Sequence, residues 1–280
     1  MSPRPGRPGP PRRPGGRPPA RRTPPGPPAR RSPRVEGVGG DQVEGRRAVL
    51  ELLGARRRTV RAVYVADGQE PSAILDEIEA QAQRRRVPLH LVSRARFDKL
   101  AATEGHQGVL AHAAPIDTVG LEVLVSDPRA FLLVCDGVTD PRNLGAMLRS
   151  ADGAGVTGVV LARHRSARVS PTAAKTAAGA IEYLRFCDVG GIPSAVDQLN
   201  RSGVLTIGLA GESTASIYDL DLSSTPVALV VGSEEKGLSP LTRKRCGAVV
   251  SIPQMGHLSS LNAGVALSVA AFEVARQRRS

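Results

Sequence analysis

The sequence predicts an α/β protein whose second half is a parallel sheet covered by helices on both faces, preceded by a smaller α/β unit. Two observations carry this expectation. Short apolar runs at 131–135, 158–161, 204–209, 227–231 and 248–252 alternate with helical or glycine-rich segments, the pattern of strands buried on both faces. Ahead of them, residues 41–114 alternate strand-like and helix-like periodicities within the length of one small domain.

The elements follow in order from an unusual start. The first 34 residues hold 10 of the 38 basic side chains, 13 of the 23 prolines and no acid. The formal charge of +12 therefore belongs mostly to them, since residues 35–280 carry 28 basic against 26 acidic side chains. Such a segment buries too little apolar surface to offset the entropy of ordering, so residues 1–40 are expected to be a disordered Arg/Pro-rich tail. Two roles stay open for it: a polycation that tethers RNA by neutralising phosphates, or a solvated low-complexity segment.

Residues 46–54 read as a short helix and 60–66 as a strand, and 70–86 as an amphipathic helix with Ile74, Leu75 and Ile78 on one face. A strand at 87–92, a helix at 94–102 and a strand at 108–113 complete the first domain, 41–114. Residues 115–129, between two prolines, are expected as a linker, and 130–280 as the second domain. Neither a signal-peptide core nor a run of about 18 apolar residues occurs, which predicts a cytoplasmic protein without a membrane span. Cys135, Cys187 and Cys246 are far apart and set in or beside apolar runs, which predicts buried reduced thiols; no metal site is expected.

In open parallel sheets ligands bind beyond the carboxyl ends of the strands, and three segments there carry unusual residues. The first, Asp136 to Gly153, follows a strand and opens a helix at Pro141 and Asn143. Gly145, Arg149 and Gly153 recur at four-residue intervals on it, either leaving Arg149 open to a bulky partner or serving helix packing. The second runs from a strand through Gly232, Glu234 and Gly237 to Ser239; its glycines allow backbone groups to face a ligand, whereas an ordinary turn leaves Glu234 without a reason. In the third, Ile252, Gly256 and His257 precede Ser260, Leu261 and Asn262 at the start of a long C-terminal helix. Ser260 and Asn262 either cap that helix or present polar groups beside its free N–H groups, and His257 is either a proton acceptor or solvated.

Asn-Leu-Gly-Ala-x-x-Arg-Ser, Val-Gly-Ser-Glu-x-x-Gly-Leu, and Ile-Pro with Ser-Leu-Asn, in this order, resemble the three motifs of the SpoU/TrmH group of SPOUT methyltransferases over residues 131–278. The segment from Val43 to Leu53 and the ending His106-Gln-Gly108-Val resemble the substrate-binding domain fused to many ribosomal members. The resemblance implies a trefoil-knotted catalytic domain, a homodimer, and S-adenosylmethionine held by Leu209, Gly211, Gly232, Ile252 and Leu261, with Ser260 and Asn262 completing the wall. The sequence departs from the family where Ala263 and Gly264 follow Asn262 and where Gln254 follows Ile-Pro.

The implied reaction is methyl transfer to a ribose 2'-hydroxyl, with 23S rRNA guanosine favoured as substrate over transfer RNA. Arg149 is assigned to the ribose oxygen, where a fixed cation stabilises developing alkoxide charge; a literal base role conflicts with a guanidinium that stays protonated. Asn143 is expected to orient the ribose or Arg149, and Glu234 to hold Arg149 or Asn143 by a charge-assisted hydrogen bond. A non-catalytic RNA-binding or ribosome-assembly factor on the same fold is the reading from a different class.

Overall fold

The structure is a computed structural model describing Met1 and residues 38–279 apart from Arg165, Leu258 and Ser259. The expected tail lies almost wholly outside the described residues. Two sheets organise the rest.

The first sheet has four strands in the order β1 (Gln42–Glu44), β4 (Val109–Ala113), β2 (Val60–Ala66) and β3 (Leu89–Val92). β2 pairs parallel with β3 and antiparallel with β4, which in turn pairs antiparallel with β1. Helices α1 (Arg46–Ala55) and α2 (Ala73–Arg84) cover one face through Val49, Leu52, Leu53, Ile78 and Ala82. Helix α3 (Arg94–Leu100) covers part of the other with Phe97, packed on Ala66, Val92 and Leu110. Ile78 is fully buried and Ile74 and Leu75 pack beside it, as the helical spacing predicts.

The second sheet is wholly parallel, in the order β10 (Ala248–Val250), β8 (Leu205–Leu209), β9 (Val227–Gly232), β5 (Phe131–Asp136), β6 (Gly158–Ala162) and β7 (Arg185–Val189). β5 and β9 lie at its centre with all twelve residues buried, which is why both read as unbroken apolar runs. Along β5 the side chains alternate. Phe131, Leu133 and Cys135 face α5 (Pro141–Gly153) and α9 (Ala263–Arg279), while Leu132 and Val134 face α4 (Leu121–Leu124) and α7 (Ile192–Arg201). Short helices α6 (Pro171–Thr176) and α8 (Pro240–Arg245) complete the layers.

Several details differ from the sequence reading. β1 and β7 are strands that the apolar runs do not reveal: β1 is three residues long, and β7 places Arg185 and Asp188 among its five. β10 ends at Val250, because Ser251 turns to pair with Ser216, so Ile252 lies in the following loop. The 115–129 segment packs against the second sheet. Val119 donates its N–H to the Phe186 carbonyl at 2.8 Å, and Leu121 and Leu124 are buried in the second core. Cys135 and Cys187 are buried and Cys246 is half-buried, all as free thiols. Burial pushes the Cys135 thiol up to about 12 and those of Cys187 and Cys246 to about 11, so none is an activated nucleophile at neutral pH.

The two sheets are joined by a buried ion pair. Arg58, just before β2, meets Glu182 of a 3-10 turn at 2.9 Å, with side chains 3% and 1% exposed. The same guanidinium donates to the Gly40 and Ala114 carbonyls at 3.0 and 2.6 Å. Arg57 donates to the carbonyls of Glu182 and Leu184, and Tyr183 donates its hydroxyl to Glu51 at 2.8 Å.

Candidate active site

The site forms where the loops after β8, β9 and β10 leave the sheet. Between β9 and α8 the chain makes a tight turn, with reciprocal backbone bonds joining Ser233 and Gly237 at 3.1 and 2.9 Å. Gly237 has φ +64, and a Cβ on Gly232 would lie 2.1 Å from the Gly237 carbonyl carbon, so both positions need glycine for different reasons. Asp136, at the end of β5 and register partner of Gly232, accepts the Ser239 N–H at 2.7 Å and fastens the far end of this turn. Asp136 opens the first motif, and only the sheet register brings it to this turn.

These loops enclose a cleft of about 580 Å³. Leu209, Gly211, Gly232, Ile252 and Leu261 all line it, together with Glu234 and Ser260. Gln254, noted above as a departure, lines it too, as do Glu212 and Arg243, which form an ion pair across the opening. Nothing in the local sequence around Glu212 or Arg243 signals that pairing.

Beside the cleft three side chains from three segments meet. Asn143 donates its amide to Glu234 Oε1 at 2.7 Å, and Asn262 donates to Asn143 Oδ1 at 3.4 Å. Asn143 and Asn262 each sit at a helix start, and Glu234 lies in the turn after β9. Asp140 caps α5 by accepting the Arg142 N–H at 2.9 Å, with Pro141 in the first turn. Asn262 caps α9, its Oδ1 accepting the N–H groups of Gly264 and Val265 at 2.9 and 3.3 Å. The capping role thus falls to Asn262, while Ser260 faces the cleft.

Arg149 is not brought into this group. Its exposed side chain sits six residues beyond Asn143 on α5 and does not line the cleft, and Glu234 holds Asn143 instead. The flanking glycines serve packing: a Cβ on Gly145 would fall 2.6 Å from the Ala173 carbonyl oxygen of α6, and one on Gly153 would touch Phe272 of α9. His257 is exposed in the loop before α9. Among the described residues, no group of three or more His, Cys, Asp or Glu is placed to hold a metal ion.

The model of the SpoU rRNA methylase family matches residues 130–272, a little over half of the chain, and that of the RNA 2'-O ribose methyltransferase substrate-binding domain matches residues 42–119. The chain belongs to the SpoU rRNA methylase family. As a member it is an RNA 2'-O-methyltransferase that uses S-adenosylmethionine. Its relatives include the 23S rRNA (guanosine-2'-O-)-methyltransferases RlmB of Pseudomonas putida and Xanthomonas campestris. The first is 38% identical over 246 residues, 85% of this chain and 97% of the relative. The second is 40% identical over 241 residues, 84% and 96% of the two chains. Among solved structures, the SpoU methyltransferase AviRb from Streptomyces viridochromogenes in complex with the cofactor AdoMet shares the fold, with a TM-score of 0.71 and 24% identity. The match covers 85% of this chain and 90% of that one.

Proposed function

We propose that this SpoU methylase transfers a methyl group to the ribose 2'-hydroxyl of a guanosine in 23S rRNA, acting in the cytoplasm as a homodimer. The observation that carries the site assignment is the hydrogen bond from Asn143 to Glu234, which joins the first motif to a residue lining the cleft. The substrate rests on the two RlmB relatives, which match nearly their whole length.

The cleft suits S-adenosylmethionine. Its volume falls within the range of about 300–1,000 Å³ common for small-molecule sites, and its wall includes exposed backbone at Gly211 and the side-chain-free Gly232. When bound, the cofactor supplies a methyl group made electrophilic by its sulfonium. Leu209, Gly211, Gly232, Ile252 and Leu261 would hold it, with Ser260 and Asn262 on the same wall. Glu234 fixes the Asn143 amide, which orients the ribose. Arg149, which lies away from the cleft of its own chain, would be supplied by the second copy to stabilise charge on the 2'-oxygen, and the proton leaves to a neighbouring phosphate or water.

Two further features belong to this reading. Val265 and Phe272 of α9 are 49% and 50% exposed, an apolar strip that a second copy would cover. A trefoil knot accords with the strand order, in which β9 enters between β8 and β5 and β10 returns outside β8.

Gly232→Ala is expected to cost about 1–3 kcal/mol in urea unfolding, because its Cβ collides with backbone, and to abolish saturable S-adenosylmethionine binding by calorimetry. Gly237→Ala, whose Cβ meets nothing, carries only the strain of positive φ, about 1 kcal/mol. Equal losses for the two would remove the collision argument.

The functional test incubates the protein with tritiated S-adenosylmethionine and unmodified 23S rRNA or transfer RNA, then maps label to alkali-resistant ribose positions. Label at one guanosine of 23S rRNA is expected. Label on transfer RNA alone would move the substrate, and cofactor binding without label on either would favour a non-catalytic factor.

A further inference from the structure

Two segments of the first domain that the catalytic cleft leaves unused, Val43 to Leu53 and His106 to Gly108, converge on a second cavity. It measures about 380 Å³ and is lined by Arg46, Gln69, Arg94 and the loop from Gly105 to Gly108. Resting on the RNA methyltransferase reading, we propose that this cavity is a receptor for a backbone phosphate of the RNA substrate, with Arg46 and Arg94 as its cationic walls.

Arg46 is held before any ligand arrives. Its Nε donates to the Gln107 carbonyl at 3.1 Å, Nη1 to Ser72 Oγ at 3.2 Å and Nη2 to Gln69 Oε1 at 2.7 Å. All three acceptors are neutral, and among the described residues no carboxylate lies within ion-pair distance of Arg46. A guanidinium has five N–H groups, so two remain for a ligand, on a fork whose orientation is already fixed.

The loop opposite is shaped to complete the cavity. Gly105, Gln107 and Gly108 all have positive φ, at 69°, 53° and 72°, and a non-glycine residue adopts such a conformation only when its surroundings enforce it. Gln107 is held there by accepting the Arg46 N–H on its side chain at 3.2 Å. The loop's approach is pinned by Glu44, a fully buried carboxylate that takes up the N–H groups of Ala102 and Thr103, the Thr103 hydroxyl and the Gln42 amide. Lys175 reaches across from α6 to the Glu104 carbonyl and adds a cation beside Gly105.

The chemistry favours phosphate over a base. The lining presents N–H donors and no flat apolar plate: its ring, His106, is 8% exposed and already packed at a tilt against Phe97, with centroids 4.8 Å apart. Among the described residues, Asp98 is the carboxylate paired at the rim, and it is shared between Arg94 at 3.1 Å and His106 at 3.4 Å. Arg94 keeps its terminal amino groups free of that bond, which runs through Nε.

The test measures binding of the full chain to a 23S rRNA transcript across a salt series, with inorganic phosphate as competitor. Arg46→Gln/Arg94→Gln is expected to weaken RNA binding about tenfold and to reduce the salt slope by about 1, with S-adenosylmethionine affinity retained. Arg94→Gln alone, an exposed change that spares the Arg46 fastenings, is expected to lower affinity without lowering Tm. Unchanged RNA affinity and slope in the double variant would overturn the proposal, as would a loss in the double variant that is absent from Arg94→Gln and matched by a fall in Tm. Displacement of RNA by millimolar phosphate from the unaltered chain but not from the double variant supports it. Failure of the unaltered chain to bind or methylate any RNA would instead sink the functional reading beneath it.

Discussion

An Arg149→Ala chain is expected to fold and to bind S-adenosylmethionine as the unaltered chain does, while methyl transfer falls by about 10²–10³, the effect of removing a cation from a developing oxyanion. Folding is spared because the side chain is exposed and packs in no core. The geometry limits how Arg149 can take the proposed role. Six residues along α5 place it about 9 Å and roughly 120° around the helix from Asn143, away from the cleft of its own chain. If α5 and α9 meet a second copy, Arg149 is carried to the partner's cleft. Mixing two inactive chains, Arg149→Ala and Asn143→Ala, then restores activity, because one of the two sites in each mixed dimer has an intact Asn143 facing an intact Arg149. No recovery after mixing and exchange would place Arg149 in its own chain's site, and a full rate in Arg149→Ala alone would remove it from the chemistry.

How far this arrangement could be foreseen depends on whether its cause is local. β5 and β9 were legible because strands buried on both faces must be apolar throughout, and α2 because its buried side chains recur at helical spacing. β7 was not, since its buried pair Phe186 and Cys187 is flanked by the charged Arg185 and Asp188; nor was β1, whose three residues include the buried carboxylate Glu44. The start of each site helix was readable from Pro141 and Asn262, since first-turn chemistry is local, although the cap of α5 is Asp140 and Asn143 points to Glu234. The meeting of Asn143 with Glu234 spans 91 residues, and only the motif resemblance anticipated it. The packing roles of Gly145 and Gly153 depend on α6 and α9, which periodicity within α5 cannot reveal.

The contact least visible in sequence is Arg58–Glu182, 124 residues apart, and Arg58→Ala is expected to cost about 3–5 kcal/mol in urea unfolding because it strands a buried carboxylate. Glu182 Oε2 already lacks a hydrogen-bond partner among the described residues, so little is left to compensate. Burial raises the Glu182 carboxyl above its ordinary value of 4.5, with Arg58 pulling the other way; losing Arg58 removes that opposition. A carboxyl whose folded value is raised favours the folded state below its unfolded value and loses that contribution as pH climbs through the folded value. The penalty of Arg58→Ala should therefore be smallest near pH 4 and grow upward from the ordinary carboxylate range. Arg58→Met/Glu182→Leu removes both charges together and is expected to recover most of the loss, since two apolar side chains can fill a site where a lone charge cannot be solvated. A double variant as unstable as Arg58→Ala would mean that the guanidinium's bonds to the Gly40 and Ala114 carbonyls, rather than the ion pair, hold the two sheets together.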